Sequence, residues 1–180
     1  MNEKTTKQIE EMMNQTIGVE VEMNNITRAR AAEIAADFFG TGRHENTADR
    51  NGYCTYTAWD GEGRECKFQK VVSILGPDSE KCELVTPILT YADMETLQEL
   101  IRRLRRVGAK SDATRGCGVH IHIGAKGHTA QTLRNLANIL ASHESLLASA
   151  LNLDRSRMNR YCKVVSKDFL VELNRKKPKT

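Results

Sequence analysis

The sequence predicts an α+β domain with a largely antiparallel sheet, on three observations. Residues 16–24, TIGVEVEMN, alternate apolar and other side chains as a strand with one buried face does. Two runs rich in aromatic and β-branched residues, 53–59 and 65–75, flank DGEG and read as a hairpin. Apolar residues recur at helical spacing over 94–107 and 129–151, without strict strand–helix–strand alternation.

Each element has a local reason. In the first strand Ile17, Val19, Val21 and Met23 share one face, while Gly18, Glu20 and Glu22 share the other. Thr27 is placed to cap a helix through RARAAEIAADFF that Gly40 stops. The polar, Gly-containing segment 41–52 reads as a loop, and GPDSEK as a second loop before CELVTPIL, a short strand ended by Pro87. Asp93 is the expected cap of METLQELIRRLRRV, and Gly108 its stop. GCGVHIHIG, Gly116 to Gly124, alternates as another strand. A longer helix follows from Thr129 to Leu151, with Leu133, Leu136, Leu140, Leu147 and Leu151 near one face. The Met and Leu positions of these helices read as core. The stretch from Arg155 onward is ambiguous and reads first as a loop.

Composition bounds the function. With 180 residues, 39% hydrophobic and 28% charged, the chain is sized and balanced for one globular domain. It contains no apolar run of about 18 residues, so no membrane span is expected. MNEKTTKQIEE lacks the apolar segment of a secretory signal. Five scattered cysteines with no CxxC pair argue against a disulfide framework or a thiolate zinc knuckle, and for reduced thiols in a cytoplasmic protein. The net charge of +4 is mild; its clusters, Arg102, Arg103, Arg105 and Arg106 and then Arg175, Lys176, Lys177 and Lys179, read as a solvated helix face and a tail. Nucleic acid is therefore not the expected partner.

The chemistry lies on three strands. Glu20 and Glu22 sit on one face with Cβ atoms roughly 7 Å apart, close enough that a buried pair needs a proton or a cation. Hard carboxylate oxygens of this kind suit magnesium or manganese. Without a ligand they would be ordinary glutamates on a solvated face. His120 and His122 repeat the spacing with Gly118, and the glycines Gly116, Gly118 and Gly124 point to close approach of something to the backbone. Glu83, flanked by Cys82, Leu84 and Val85, is an acid in an apolar strand that needs a partner, a cation or solvent. His44, His128 and His143 have no such company.

In order and local wording, GVEVE, CELVTPIL and GCGVHIHIG resemble the amidoligases, a branch of the carboxylate–amine ligases that share the catalytic fold of glutamine synthetase. The resemblance runs from Ile17 to Lys163, with NRYCK, Asn159 to Lys163, as a further family segment. It implies a curved antiparallel sheet with packed helices over residues 16–174, preceded by an extension (1–15) and followed by a basic tail (175–180). It also implies ATP-dependent joining of a carboxylate to an amine through an acyl phosphate, with Mg²⁺ or Mn²⁺. By the same resemblance Glu20, Glu22, Glu83 and His120 fall on metal ligands. His122 falls on a contact to nucleotide phosphate, and Arg160 on a contact to phosphate or carboxylate. The carboxylate partner is a protein or peptide side chain or a glutamate-like small molecule.

Two departures accompany the match. No Glu-Phe-Arg motif of a final strand follows before NRKKPKT, which implies a C-terminally incomplete domain or a group supplied by a neighbouring subunit of a homo-oligomer. The family's Asp ahead of a Ser-Ile pair is missing, since Val71 and Val72 precede Ser73-Ile74. The alternatives are a metal- and nucleotide-binding remnant without turnover and a zinc hydrolase using His120 and His122. The latter lacks an HExxH or a nearby third histidine.

Overall fold

The structure is a computed structural model and describes residues 2–48 and 52–178. Among the described residues six strands, β1 (Ile17–Met23), β2 (His44–Asn46), β3 (Tyr56–Trp59), β4 (Glu65–Gln69), β5 (Cys82–Val85) and β6 (Val119–Ile123), form one antiparallel sheet in the order β2-β3-β4-β5-β1-β6. The helices are α1 (Glu3–Met13), α2 (Arg28–Phe38), α3 (Met94–Arg106), α4 (Ala130–Ala150), α5 (Arg155–Arg160) and α6 (Lys167–Lys176). The α+β class with an antiparallel sheet thus holds. The chain divides into two compact units, Met1–Gly124 and Ala125–Thr180.

In the first unit the odd-numbered positions of β1 behave as their alternation predicts. Val19, Val21 and Met23 join Ala58, Cys66, Phe68, Cys82 and Leu84 in a buried core. Helix α2 covers that face, and its buried Ala31, Ala32, Ala35 and Ala36 bring its backbone close to the strands. Leu100 and Leu104 of α3 complete the layer; each such burial is worth about 1.5–3 kcal/mol. Thr27 caps α2 as expected, its hydroxyl accepting from the Arg30 N–H at 3.1 Å. The other face of the sheet carries Glu20, Glu22, Glu83, Lys67 and Gln69, together with Val85, Thr57 and Trp59.

The β3–β4 hairpin closes through Asp60, whose Oδ1 accepts from the N–H groups of Glu62 and Arg64, both at 2.9 Å. Arg64 then reaches Asp60 at 2.7 Å and Asp93 at 2.9 Å, tying the hairpin to the start of α3.

Several expectations are corrected. Segment 41–52 is not all loop: His44–Asn46 is an edge strand on β3, hidden from the pattern because all three residues are polar and exposed. Residues 49–51 of that segment lie outside the described residues. The second hairpin strand ends at Gln69, and 70–75 is irregular. Asp93 does not cap α3 with its side chain. Its carboxylate instead accepts from the Thr90 N–H at 2.8 Å within a short 3-10 turn. The 1–15 extension contains α1, capped by Asn2. The expected loop after residue 154 begins with α5, and Arg175 and Lys176 of the expected tail belong to α6. The leucines of α4 read as core are exposed: Leu133 48%, Leu136 43%, Leu140 41%, Leu147 44% and Leu151, beyond the helix end, 68%. Periodicity shows that side chains share a face; it does not show what covers it. Among the described residues no helix is long and apolar enough to cross a membrane.

Candidate metal centre

The polar face of β1 is built by its pairing on both sides. Towards β6, Gly18 stands opposite His122 and Glu20 opposite His120. The Glu22 N–H donates to the Gly118 carbonyl at 2.9 Å, which puts Glu22 beside Gly118. Towards β5, Glu22 stands opposite Glu83. Directly opposed residues of an antiparallel pair share a face, so the register gathers Glu20, Glu22, Glu83, His120 and His122 on one surface. Gly18 stands beside His122 and Gly118 beside Glu22, on either side of the Glu20–His120 pair.

Side-chain geometry sharpens this. His120 Nδ1 lies 3.0 Å from Glu20 Oε2, and His122 Nε2 lies 3.3 Å from Glu20 Oε1. One ligand atom from each of Glu20, Glu83 and His120 falls within 4.8 Å of the others. Glu22 is not in that trio. It is buried, at 4% exposure, and its Oε1 accepts a hydrogen bond from the Ser73 hydroxyl at 2.7 Å.

The charges are unevenly held. The hydrogen bond from His120, with His122 behind it, keeps Glu20 below the usual glutamate range. Glu83 is pushed up to about 7, chiefly by burial and then by the facing carboxylates of Glu20 and Glu22. A half-buried acid facing two others gains most from a cation, and two carboxylates with an imidazole are a donor set that a divalent ion accepts. The residues present therefore fit Mg²⁺ or Mn²⁺.

Other features stand apart from this cluster. Burial pushes the Cys66 and Cys82 thiols up to about 12, so neither is a thiolate at neutral pH. A cavity of about 580 Å³ lies against Val21 and Met23, on the opposite side of β1, with Ile101, Arg105 and Lys110. It is lined by none of the five polar-face residues, and the chemistry of the side chains, not cavity size, locates the candidate site. Arg160 belongs to α5 in the second unit, with its guanidinium 5.0 Å from the Tyr161 ring centroid.

A family model described as "Putative amidoligase enzyme" matches residues 13–180. The chain belongs to this amidoligase family. No curated protein and no solved structure matches it. The amidoligase match spans every candidate residue from Glu20 to Arg160.

Sequence reasoning missed the tie of Ser73 to Glu22, although Ser73-Ile74 had drawn attention as a pair. Gln69 was also missed; it stands opposite Glu83 on β4, with its amide 3.4 Å from the Thr55 hydroxyl. Alternation in ECKFQ puts Lys67 and Gln69 together, but nothing local gives the register against β5.

Proposed function

We propose that this amidoligase-family chain is an ATP-dependent carboxylate–amine ligase that works through an acyl phosphate, on a sheet of the glutamine synthetase catalytic type. The single observation carrying this reading is the convergence of Glu20, Glu83 and His120, whose ligand atoms lie within 4.8 Å of one another. These residues would hold Mg²⁺ or Mn²⁺, with Glu22 beside them. When bound, the cation supplies positive charge that offsets repulsion between a substrate carboxylate and the γ-phosphate of ATP.

The protein's own groups prepare that chemistry. The two histidines keep Glu20 ionised, so its oxygens serve as ligands near neutral pH. Glu83 is poised to lose its proton near the same pH. His122 is exposed beside Glu20, where its protonated form would pair with a phosphate oxygen. The substrates on this reading are a carboxylate, either a peptide side chain or a glutamate-like acid, and an amine that displaces phosphate from the acyl phosphate.

The test is turnover by the full chain with ATP, Mg²⁺ or Mn²⁺, a panel of carboxylates and hydroxylamine as the amine. The expected result is ADP and phosphate release with hydroxamate formation, dependent on metal and on one carboxylate of the panel. Metal-dependent nucleotide binding without ADP release across the panel would reject the ligase reading in favour of a binding remnant of the fold.

A further inference from the structure

We infer that Ser73 is a positioning residue for the metal centre, acting through Glu22, which stands beside the trio; the inference rests on the reading of Glu20, Glu83 and His120 as the cation site. Glu22 is almost fully buried, and the carboxylate–hydroxyl bond from Ser73 occupies its Oε1 at 2.7 Å. A carboxylate with one oxygen held by a donor keeps its plane fixed and offers the other oxygen in a defined direction. Outer hydrogen bonds of this kind set how a ligating side chain meets its ion.

Ser73 can do this because its irregular segment is itself pinned. Ile74, next in sequence, is fully buried. The Leu75 N–H donates to the Arg115 carbonyl at 2.7 Å, and the Arg115 guanidinium returns two bonds to the Leu75 carbonyl, at 3.0 and 3.3 Å. The same guanidinium donates to Asn25 Oδ1 at 2.9 Å, just past the end of β1, and lies 3.5 Å from Glu80. The buried Asn24 amide, turned with its oxygen to Arg115, adds contacts of 2.9 and 3.0 Å.

Gly116 completes the arrangement. Its φ of +85° suits glycine, and a Cβ there would sit 2.4 Å from the Ser73 carbonyl oxygen. A side chain at 116 would therefore push Ser73 away from Glu22. One arginine and one glycine, both just ahead of β6, thus lock the strap that carries Ser73 to the strands bearing Glu22 and His120. The bond is long-range, 51 residues apart, and a chance contact of a loose loop would need none of this bracing.

The test is Mn²⁺ binding by calorimetry on the full chain, with far-UV circular dichroism and thermal melts as checks of folding. Ser73→Ala should weaken Mn²⁺ binding by roughly tenfold, the range for losing an outer hydrogen bond at a metal centre. Ser73→Thr, which keeps the hydroxyl, should restore most of that loss. In a Glu22→Gln background, Ser73→Ala should have little further effect, because the two act as one unit. Native affinity in Ser73→Ala, failure of Ser73→Thr to restore it, or an undiminished loss in the Glu22→Gln background would overturn the inference. Should the native chain bind no Mn²⁺, or should Glu20→Gln and His120→Ala bind like native, the cation site itself fails and this inference falls with it. Loss in those two variants with native affinity in Ser73→Ala would overturn the role of Ser73 alone.

Discussion

Glu22 and Glu83 stand directly opposite each other across the β1–β5 ladder, and only Glu22 has a hydroxyl donor on its carboxylate. Like charges in that position destabilise a sheet by about 0.2–1 kcal/mol. The metal-free protein therefore carries an electrostatic cost at this spot that a cation would remove. Glu83→Gln should raise urea stability of the metal-free chain at pH 8 by up to about 1 kcal/mol while weakening Mn²⁺ binding. Lower stability in that variant would show that the three acids do not repel in the fold.

The pH dependence follows from the same residue. Glu83 is raised from 4.5 to about 7, so the fold favours its neutral form. Its contribution to stability is present below 4.5 and is lost as pH rises through about 7. From this group, the metal-free chain is more stable at pH 5 than at pH 8, and Glu83→Gln should flatten that difference in denaturant titrations. Mn²⁺ affinity should run the other way, rising up to about pH 7 with proton release on binding, which calorimetry in buffers of different ionisation enthalpy counts.

His120 and His122 flank one carboxylate but should have different effects. His120→Ala removes a member of the trio and should weaken both Mn²⁺ and Mn²⁺-dependent ATP binding by roughly tenfold or more. His122→Ala leaves the trio intact and should lower ATP affinity with a smaller effect on Mn²⁺ alone. Equal losses in both variants for both ligands would contradict the separate roles.

Arg64 offers a stability control away from the site. Its loss would leave Asp60, 9% exposed, and Asp93 without their cation. Burial alone would raise Asp60, but bonds from Arg64 and Glu62 hold it below the ordinary aspartate range, and Arg64 does the same for Asp93. Arg64→Ala should cost about 1–3 kcal/mol in urea denaturation and leave Mn²⁺ affinity unchanged once folded. A matching loss of Mn²⁺ affinity would mean that the hairpin and the site are coupled.

Much of this was legible in the chain because alternation is a local signal. Ile17 to Met23 separate into an apolar face and a polar one at a period of two, and VHIHI alternates apolar residues with imidazoles in the same way. Which residues share a face of β1 and β6 could therefore be read directly, although all five residues of β6 are exposed. Thr27 announced its helix for the same reason, since a cap lies next to what it caps. Register is not local. That Glu22 meets Glu83 and Glu20 meets His120 depends on turns and packing far along the chain, and the sequence offered only candidates for those pairs. Strand β2 escaped notice because HEN is an exposed edge with no apolar residue to mark a face. The Asp93 carboxylate does not cap α3 because the Thr90 N–H and Arg64, the latter distant in sequence, both donate to it. The leucines of α4 show the converse: a clear stripe whose burial no pattern guarantees.

The central claim is that Glu20, Glu83 and His120 hold a divalent cation. Anomalous diffraction from crystals of the chain grown with Mn²⁺ addresses it most directly. The account predicts a peak within bonding distance of all three side chains, absent in Glu20→Ala crystals. A peak elsewhere, or none among these residues at saturating Mn²⁺, would contradict it.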